Sequence, residues 1–183
     1  MIAPTYSDRR SSTTPEQTIM LESKRISVSE NEALKRAITI DEIVEVRMGV
    51  EMAGRDSQVV CRITAKDGTK IAFGSRSWKS VGHWENRADL FLAFNAALHR
   101  ALLPHMTTIR FIEGHPLWVG FMMSGLGLLI AALGGGFAIY LLWDDNLMGF
   151  GGVPGFIIGL YLAWMFRPRA TKPYDPALYT RKA

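Results

Sequence analysis

Residues 115–167 read HPLWVGFMMSGLGLLIAALGGGFAIYLLWDDNLMGFGGVPGFIIGLYLAWMFR, and this stretch decides the fold. Residues 117–143 and residues 147–166 contain no charged side chain, and these runs are 27 and 20 residues long. A helix needs about 20 apolar residues to cross the ~30 Å hydrocarbon core of a bilayer. The stretch therefore predicts a transmembrane helical hairpin at 117–166. In the alternative, only the first run inserts and the glycine-rich second run lies at the membrane surface.

The charges that flank the hairpin predict its orientation. Arg110 precedes the first run, Arg167, Arg169 and Lys172 follow the second, and the loop between the runs carries two aspartates at 144–145 and no base. Basic residues beside membrane spans stay on the cytoplasmic side. We therefore expect an integral membrane protein with both termini in the cytoplasm, in the inner membrane of a bacterium.

Small residues recur every four positions in both runs, and Pro154 among glycines predicts an irregular first turn in the second helix. Small side chains let helix backbones approach closely inside a membrane. We predict that the two stripes face each other or a partner, although glycine is also simply common in membrane helices. The stripes comprise Gly127, Ala131 and Gly135 in the first run, and Gly151, Gly155 and Gly159 in the second.

Several classes of activity find no support in the sequence. The two runs contain no acidic, basic or histidine side chain, which ion and proton pathways usually require. None of the four histidines has a close metal-ligand neighbour, and the single cysteine, Cys61, cannot form an internal disulfide. No phosphate-binding loop or nucleophile elbow occurs. We expect no enzyme, no cofactor, no metal and no nucleic-acid partner.

The tail at 167–183 carries five basic residues and one acidic residue, which accounts for the net charge of +4 of the whole chain. A basic tail beside a membrane is attracted to anionic headgroups by about 1 kcal/mol per basic residue. We therefore predict a cytoplasmic tail in which Arg167, Arg169 and Lys172 contact headgroups, or in which these bases only mark the topology.

The region before the hairpin divides into three parts. Residues 1–23 are polar and rich in Ser and Thr, which predicts an arm that is disordered or lies on a partner. Residues 24–105 alternate between apolar and polar positions and predict a cytoplasmic domain, and residues 106–116 connect it to the membrane. A clear strand carries its apolar side chains on one dry face. These are Val44, Val46, Met48, Val50 and Met52.

The Asp67-Gly68 pair predicts a hairpin, and its register follows from burial. A three-residue loop with Gly68 in the left-handed conformation pairs Ile63 with Ile71 and Cys61 with Phe73. A two-residue turn would place polar and apolar side chains on the same face. We therefore predict the register with the longer loop.

A predicted loop at 74–84 is followed by an amphipathic helix that Asn86 caps and Pro104 ends. In the loop, Arg76, Trp78 and Lys79 either contact headgroups or belong to an ordinary solvated loop. Phe94 is expected at the centre of the apolar stripe of the helix, against the sheet, and His99 at the surface away from it. The stripe comprises Leu90, Phe91, Phe94, Leu98, Ala101 and Leu102.

The segment ITIDEIVEV, the Asp-Gly hairpin and the closing helix resemble bacterial PH-like domains over about residues 24–103. The resemblance implies an α+β fold with a small antiparallel sheet that a C-terminal helix caps, followed here by the two-helix hairpin. The family includes lipid-binding and protein-binding members, and it implies no catalysis.

Two functions follow from these expectations. The first is a non-catalytic accessory or scaffold subunit whose partners are other integral membrane subunits and membrane lipids. Such an assembly would be, for example, respiratory or photosynthetic. The second is a stand-alone membrane-anchored PH-like module that binds lipid headgroups or a signalling partner.

Overall fold

The chain has a mixed α+β fold and divides into two compact units. One unit joins residues 1–114 to residues 172–183, and the other comprises residues 115–171. Two residues of the predicted acidic loop, Asp145 and Asn146, lie outside the described residues. The structure is a computed structural model, which describes residues 3–31, 33–114, 117–144 and 147–181.

Four antiparallel strands form the first sheet, in the order of the chain. They are β1 (Thr5–Asp8), β2 (Gln17–Leu21), β3 (Arg25–Glu30) and β4 (Ala33–Thr39). The arm predicted at 1–23 is therefore wrong, because β1 and β2 are integral strands of the domain.

The alternation of β1 and β2 is hidden in the sequence because polar residues occupy buried positions. Tyr6 and Ile19 are buried apolar residues, but Asp8 and Gln17 are buried beside them. The two polar side chains bond to each other, since Gln17 Nε2 donates to Asp8 Oδ1 over 2.7 Å. Burial raises the pKa of Asp8, and the hydrogen bonds that it accepts oppose this shift.

A second sheet contains β5 (Ile43–Ala53), β6 (Asp56–Ala65) and β7 (Lys70–Gly74) as an antiparallel meander. In the β6–β7 hairpin Ile63 lies opposite Ile71 and Cys61 opposite Phe73, as the register with the longer loop predicts. Gly68 has a φ of 84°, and its N–H donates to the carbonyl of Ala65 over 3.0 Å. The buried face thus selects the register.

The predicted loop at 74–84 is wrong, since most of it pairs as a hairpin of β8 (Arg76–Ser80) and β9 (His83–Asn86). Trp78 lies opposite Trp84 across this pair. Two aromatic side chains facing each other across two strands stabilise such a hairpin.

Helix α1 (Ala88–Leu102) packs against the sheets and completes the core. Its N-cap is Arg87, so the predicted cap at Asn86 is wrong by one residue, although Asn86 Oδ1 accepts the Ala88 N–H over 3.1 Å just before the helix. Phe94 is buried, and its ring centroid lies 5.2 Å from that of Phe73 and 5.8 Å from that of Tyr6. Leu90 is 64% exposed, so its place in the predicted stripe is wrong.

The chain on both sides of the apolar runs adds strands to the edge of the second sheet. The predicted connector at 106–116 contains β10 (Arg110–Glu113), which pairs with β5 in parallel. The predicted tail contains β11 (Lys172–Pro173), which pairs with β10 in antiparallel orientation. The domain therefore extends beyond the predicted limits of 24–105 at both ends.

His99 is fully buried, so its predicted surface position is wrong. Its Nδ1 lies 2.8 Å from the Asn95 carbonyl oxygen, and its Nε2 lies 2.8 Å from the Tyr174 hydroxyl. The ring of Tyr179 stacks on it with a centroid distance of 5.0 Å. Burial lowers the pKa of His99, which favours a neutral ring that donates through Nδ1 and accepts at Nε2. The C-terminal segment covers His99, so the sequence of the helix alone does not predict its burial.

The outer edge of β7 is closed by side chains of the first sheet instead of by another strand. The Gly74 N–H donates to Asp8 Oδ2 over 2.9 Å, and the Gly74 carbonyl accepts from the Tyr6 hydroxyl over 2.5 Å. The Ala72 carbonyl accepts from Gln17 Nε2 over 2.8 Å. These bonds satisfy backbone groups that would otherwise be left unpaired at a sheet edge.

The second unit is a pair of helices, α2 (Leu117–Trp143) and α3 (Gly152–Met165). A 3₁₀ segment, Leu147–Gly151, precedes α3, in agreement with the irregular first turn expected near Pro154. By length and composition both helical segments, Leu117–Trp143 and Leu147–Met165, are apolar enough to cross a membrane.

The closed β7 edge predicts a specific loss of stability. Asp8→Ala leaves the buried Gly74 N–H without an acceptor, and an unpaired buried donor costs about 1–3 kcal/mol. Asp41→Ala is the control, because this side chain is 78% exposed and makes only a 3.5 Å contact with His105. Chemical unfolding of the full-length protein in detergent should show the loss for Asp8→Ala alone. Equal stability of the two variants would contradict the role of Asp8 in closing the β7 edge.

Candidate functional site

Glycines bring the backbones of α2 and α3 into direct contact. A Cβ atom added to Gly127 would lie 2.5 Å from the backbone nitrogen of Ala163, and one added to Gly134 would lie 2.6 Å from that of Phe156. A Cβ atom added to Gly159 would collide with the backbone nitrogen of Ala131. Only glycine fits these positions without a shift of the helices.

Three residues of the predicted stripes lie in this contact, and the others lie at its margin or outside it. Gly127, Ala131 and Gly159 are buried between the helices, whereas Gly151 has no atom within 4 Å of its added Cβ. The remaining two lie at its margin, where an added Cβ would meet a movable side chain or make an ordinary van der Waals contact. For Gly135 the nearest atoms belong to the Phe156 ring, at 3.1 Å, and for Gly155 the nearest atom is the Gly134 Cα, at 3.6 Å.

Helix geometry explains why strict four-residue spacing fails. A helix of 3.6 residues per turn rotates by about 100° per residue, so Gly135 lies about 80° around the helix from Gly127. Gly134 lies only about 20° from Gly127 and continues the contact, which then reaches Ala138. A seven-residue repeat therefore follows a helix contact better than two steps of four.

The outward surfaces of both helices are apolar. The large exposed side chains along them are hydrophobic, and only 17% of each apolar window is buried within the structure. One polar bond joins the helices, since Ser124 Oγ donates to the Ala163 carbonyl over 3.1 Å. A surface of this kind suits lipid tails or other membrane helices.

The residues of β8 predicted to contact headgroups have partners within the domain. Arg76 Nη1 lies 2.8 Å from Asp56 Oδ2, and Lys79 Nζ lies 3.5 Å from Glu85 Oε1. The Arg9 guanidinium lies over the Trp78 ring, 4.5 Å from its centroid. These contacts neutralise the two cations and cover the indole, which disfavours their use in headgroup binding.

The predicted headgroup residues after the second apolar run divide between the two units. Arg167 and Arg169 follow α3 in the helical unit, and Lys172 lies in β11 of the globular unit. All three are exposed, and no ion pair to them occurs among the described residues. They stay candidates for contact with anionic lipid.

An apolar cavity of about 310 Å³ opens between the end of β5 and the N-terminal half of α1, and we call it the groove. Its strand side includes Val50 and Val59, which are 55% and 38% exposed. Its helix side includes Leu92, which is 39% exposed. The groove is lined by Met48, Gly49, Val50, Val59, Ser75, Ala88, Phe91, Leu92, Asn95, Glu113 and Tyr179.

A polar atom in the wall of the groove lacks a partner. Asn95 is 1% exposed, and among the described residues nothing hydrogen-bonds its Oδ1 atom. A buried acceptor without a donor costs about 1–3 kcal/mol. Asn95 is one of the residues that line the groove, so the groove combines apolar walls with a buried amide.

The sequence predicted this region as core. Val50 and Met52 follow the alternation of Val46 and Met48, but they are 55% and 74% exposed. Strand β5 is 11 residues long, and β6 pairs with it up to Ala53, whereas β10 pairs only with Glu45 to Met48. The strand's length was the available signal, since apolar alternation over 11 residues exceeds the usual strand of 5–6 residues.

The surroundings of the buried titratable groups of the domain indicate roles in packing and not in catalysis. Cys61 is fully buried, and burial raises the pKa of its thiol, which makes it a poor nucleophile. His99 is held between Asn95 and Tyr174. Within the described ranges, no group of three His, Cys, Asp or Glu side chains is placed to hold a metal ion.

Comparison of the chain with protein families, with curated proteins and with solved structures found no match. The geometry of the two units is therefore the basis for a functional proposal.

The helix contact predicts unequal effects of one substitution at two glycines. Gly159→Ala forces α3 away from α2, and overpacking of this kind costs about 1–3 kcal/mol. Gly125→Ala is the matched control, because no atom lies within 4 Å of its added Cβ. Thermal unfolding in detergent should show destabilisation for Gly159→Ala only. Equal melting of the two variants would contradict the contact.

Proposed function

We propose that this protein is a non-catalytic accessory or scaffold subunit of a larger membrane protein complex. In this proposal α2 and α3 span the membrane and hold the protein there, and the globular unit binds a partner protein through the groove. The observation that carries the proposal is the exposed apolar groove beside α1, with an unpaired amide oxygen in its wall.

The helical pair supports an anchoring role over a transport role. Its residues carry no charge between Leu117 and Trp143 or between Leu147 and Met165. Pathways for ions and protons are usually lined by ionisable groups inside the membrane. A pair that packs through glycines and exposes apolar side chains is suited to lie among lipids and other helices.

The orientation and the fold family belong to the same proposal. Arg110, Arg167, Arg169 and Lys172 flank the helices and support cytoplasmic termini in a bacterial inner membrane. A sheet covered by a closing helix, α1, is what the resemblance to bacterial PH-like domains implies, and we propose that relationship for the globular unit. The family includes members that bind proteins, so the groove is compatible with it.

A second candidate function, a module that binds lipid headgroups, is favoured by a separate polar cavity. This cavity measures about 240 Å³ and contains Arg10, Arg36 and Lys70 in its lining. Two of these cations already have acidic partners, since Arg10 lies 3.1 Å from Glu51 and Arg36 lies 3.6 Å from Glu30. The paired charges make it the weaker candidate, because an anion would have to compete with two carboxylates.

Purification with variants tests the proposed function. The tagged full-length protein is extracted from its native membranes in mild detergent, and the mass of the complex is measured. We expect a partner in fixed stoichiometry with the wild type. Leu92→Arg, which places a charge in the apolar groove, should reduce the recovery of that partner at least tenfold.

Val81→Arg is the control for this experiment. Val81 is a 95% exposed apolar residue in the β8–β9 turn and does not line the groove. The control should retain the partner at the wild-type level. The proposal would be contradicted if the wild-type protein purified as a lone monomer that bound anionic vesicles. Loss of vesicle binding in the Lys70→Glu variant would then support the headgroup module.

A further inference from the structure

Strand β5 extends beyond the strand that pairs with its outer edge. Its partner β10 covers only Glu45 to Met48, and Gly114 then donates its N–H to the Met48 carbonyl over 2.9 Å. Gly114 has a φ of 113°, a conformation that glycine adopts readily and other residues rarely do. Among the described residues, no strand pairs with this edge of β5 beyond that point.

The hydrogen-bond alternation of β5 identifies the backbone groups on this edge. The β5–β6 hairpin closes with Ala53 opposite Asp56 across the turn at Gly54. In such a two-residue hairpin the closing pair is hydrogen-bonded, so Glu51 and Ala53 bond to β6. The N–H and C=O groups of Val50 and Met52 therefore point to the other side, where no described residue bonds to them.

This open edge borders the groove. Val50 belongs both to the edge and to the groove lining, and Leu92 and Asn95 of α1 form the opposite wall. A strand added to β5 would lie about 4.8 Å from it and run along the mouth of the groove. Because side chains alternate along a strand, every second side chain of the added strand would enter the apolar cavity.

We propose that the edge at Val50 and Met52 takes an extended segment of a partner protein as an added β-strand, with alternate apolar side chains in the groove. The inference rests on the proposed function, since it names the form in which the partner binds. The main-chain bonds supply affinity in this mode of recognition, and the groove selects the side chains.

The chemistry of the edge distinguishes this occupant from others. Unpaired N–H and C=O groups require a ligand that both accepts and donates in a regular row, which a peptide backbone does. A lipid acyl chain would fill the apolar cavity but leave these backbone groups unpaired. A helix has already used its own backbone groups within the helix.

A matched pair of peptides tests the proposal. A display library of decapeptides is selected on the purified full-length protein in detergent, and the tightest binder is synthesised in two forms. One form is unmodified, and the other is N-methylated at alternate residues, on the side that would face β5. Both forms carry the same side chains, so only the unmodified peptide can add fully to the strand. We expect N-methylation to weaken binding at least tenfold.

Two protein variants complete the test. Val50→Pro removes the N–H at the open edge, where proline is tolerated because this group has no partner. We expect it to weaken the unmodified peptide at least tenfold without changing the fold as followed by thermal unfolding. Leu92→Arg should do the same through the groove, and Val81→Arg should bind like the wild type.

Each remaining outcome overturns the inference. A library that yields no binder, equal binding of the methylated peptide, or binding that withstands Leu92→Arg would each contradict strand addition. The proposed function is judged separately by the co-purified partner. If Leu92→Arg removes the co-purified partner but the peptide tests fail, only the strand mode of binding is refuted. If the peptides bind as expected but the wild-type protein purifies without a partner, only the accessory role is refuted.

Discussion

The globular unit depends on a set of hydrogen bonds that close the β7 edge without a strand. Asp8 accepts the N–H of Gly74, the Tyr6 hydroxyl donates to the carbonyl of the same residue, and Gln17 donates to the carbonyl of Ala72. These bonds join the first sheet to the second and bring Tyr6 against Phe73 and Phe94 in the core. The N-terminal strands are therefore held by buried hydrogen bonds. Such bonds are strong when every donor and acceptor in the network has a partner.

The opposite edge of the second sheet is closed by chain segments from both sides of the helical pair. Strand β10 is formed before α2, and β11 is formed after α3. The C-terminal segment then covers α1 with Tyr174 and Tyr179 around the buried His99. The globular unit is thus completed only after both apolar helices have been synthesised. Among the described residues, no strand pairs with this edge at Val50 and Met52, and the proposed strand addition rests on that part.

The sequence contains enough information for the features that depend on local periodicity. Long runs without charge predict the two helices, and the buried face of β6 and β7 predicts the register of Ile63 with Ile71. The place of Phe94 in the core follows from a stripe at helical spacing. The contact of α2 with α3 is predicted only in part, because the step from Gly127 to Gly134 requires the helical rotation in addition to the residue type.

The features that the sequence does not reveal depend on distant partners. Asp8 is polar and buried, and its position makes sense only beside Gly74, 66 residues away. His99 is buried because Tyr174, 75 residues later, covers it. The groove escapes prediction because Val50 and Met52 alternate like core residues but are 55% and 74% exposed. Burial of a side chain is a property of its neighbours in space, which a periodic pattern does not contain.

Amide hydrogen exchange at single-residue resolution tests most directly whether the unit closes the β7 edge and presents the β5 edge at Val50 and Met52 to a partner. The full-length protein is measured alone and in its purified native complex. In both states the Gly74 amide should exchange slowly, because Asp8 accepts its proton. The amides of Val50 and Met52 should exchange rapidly in the free protein and at least tenfold more slowly in the complex. Rapid exchange of both amides in the complex, or slow exchange already in the free protein, would contradict the account.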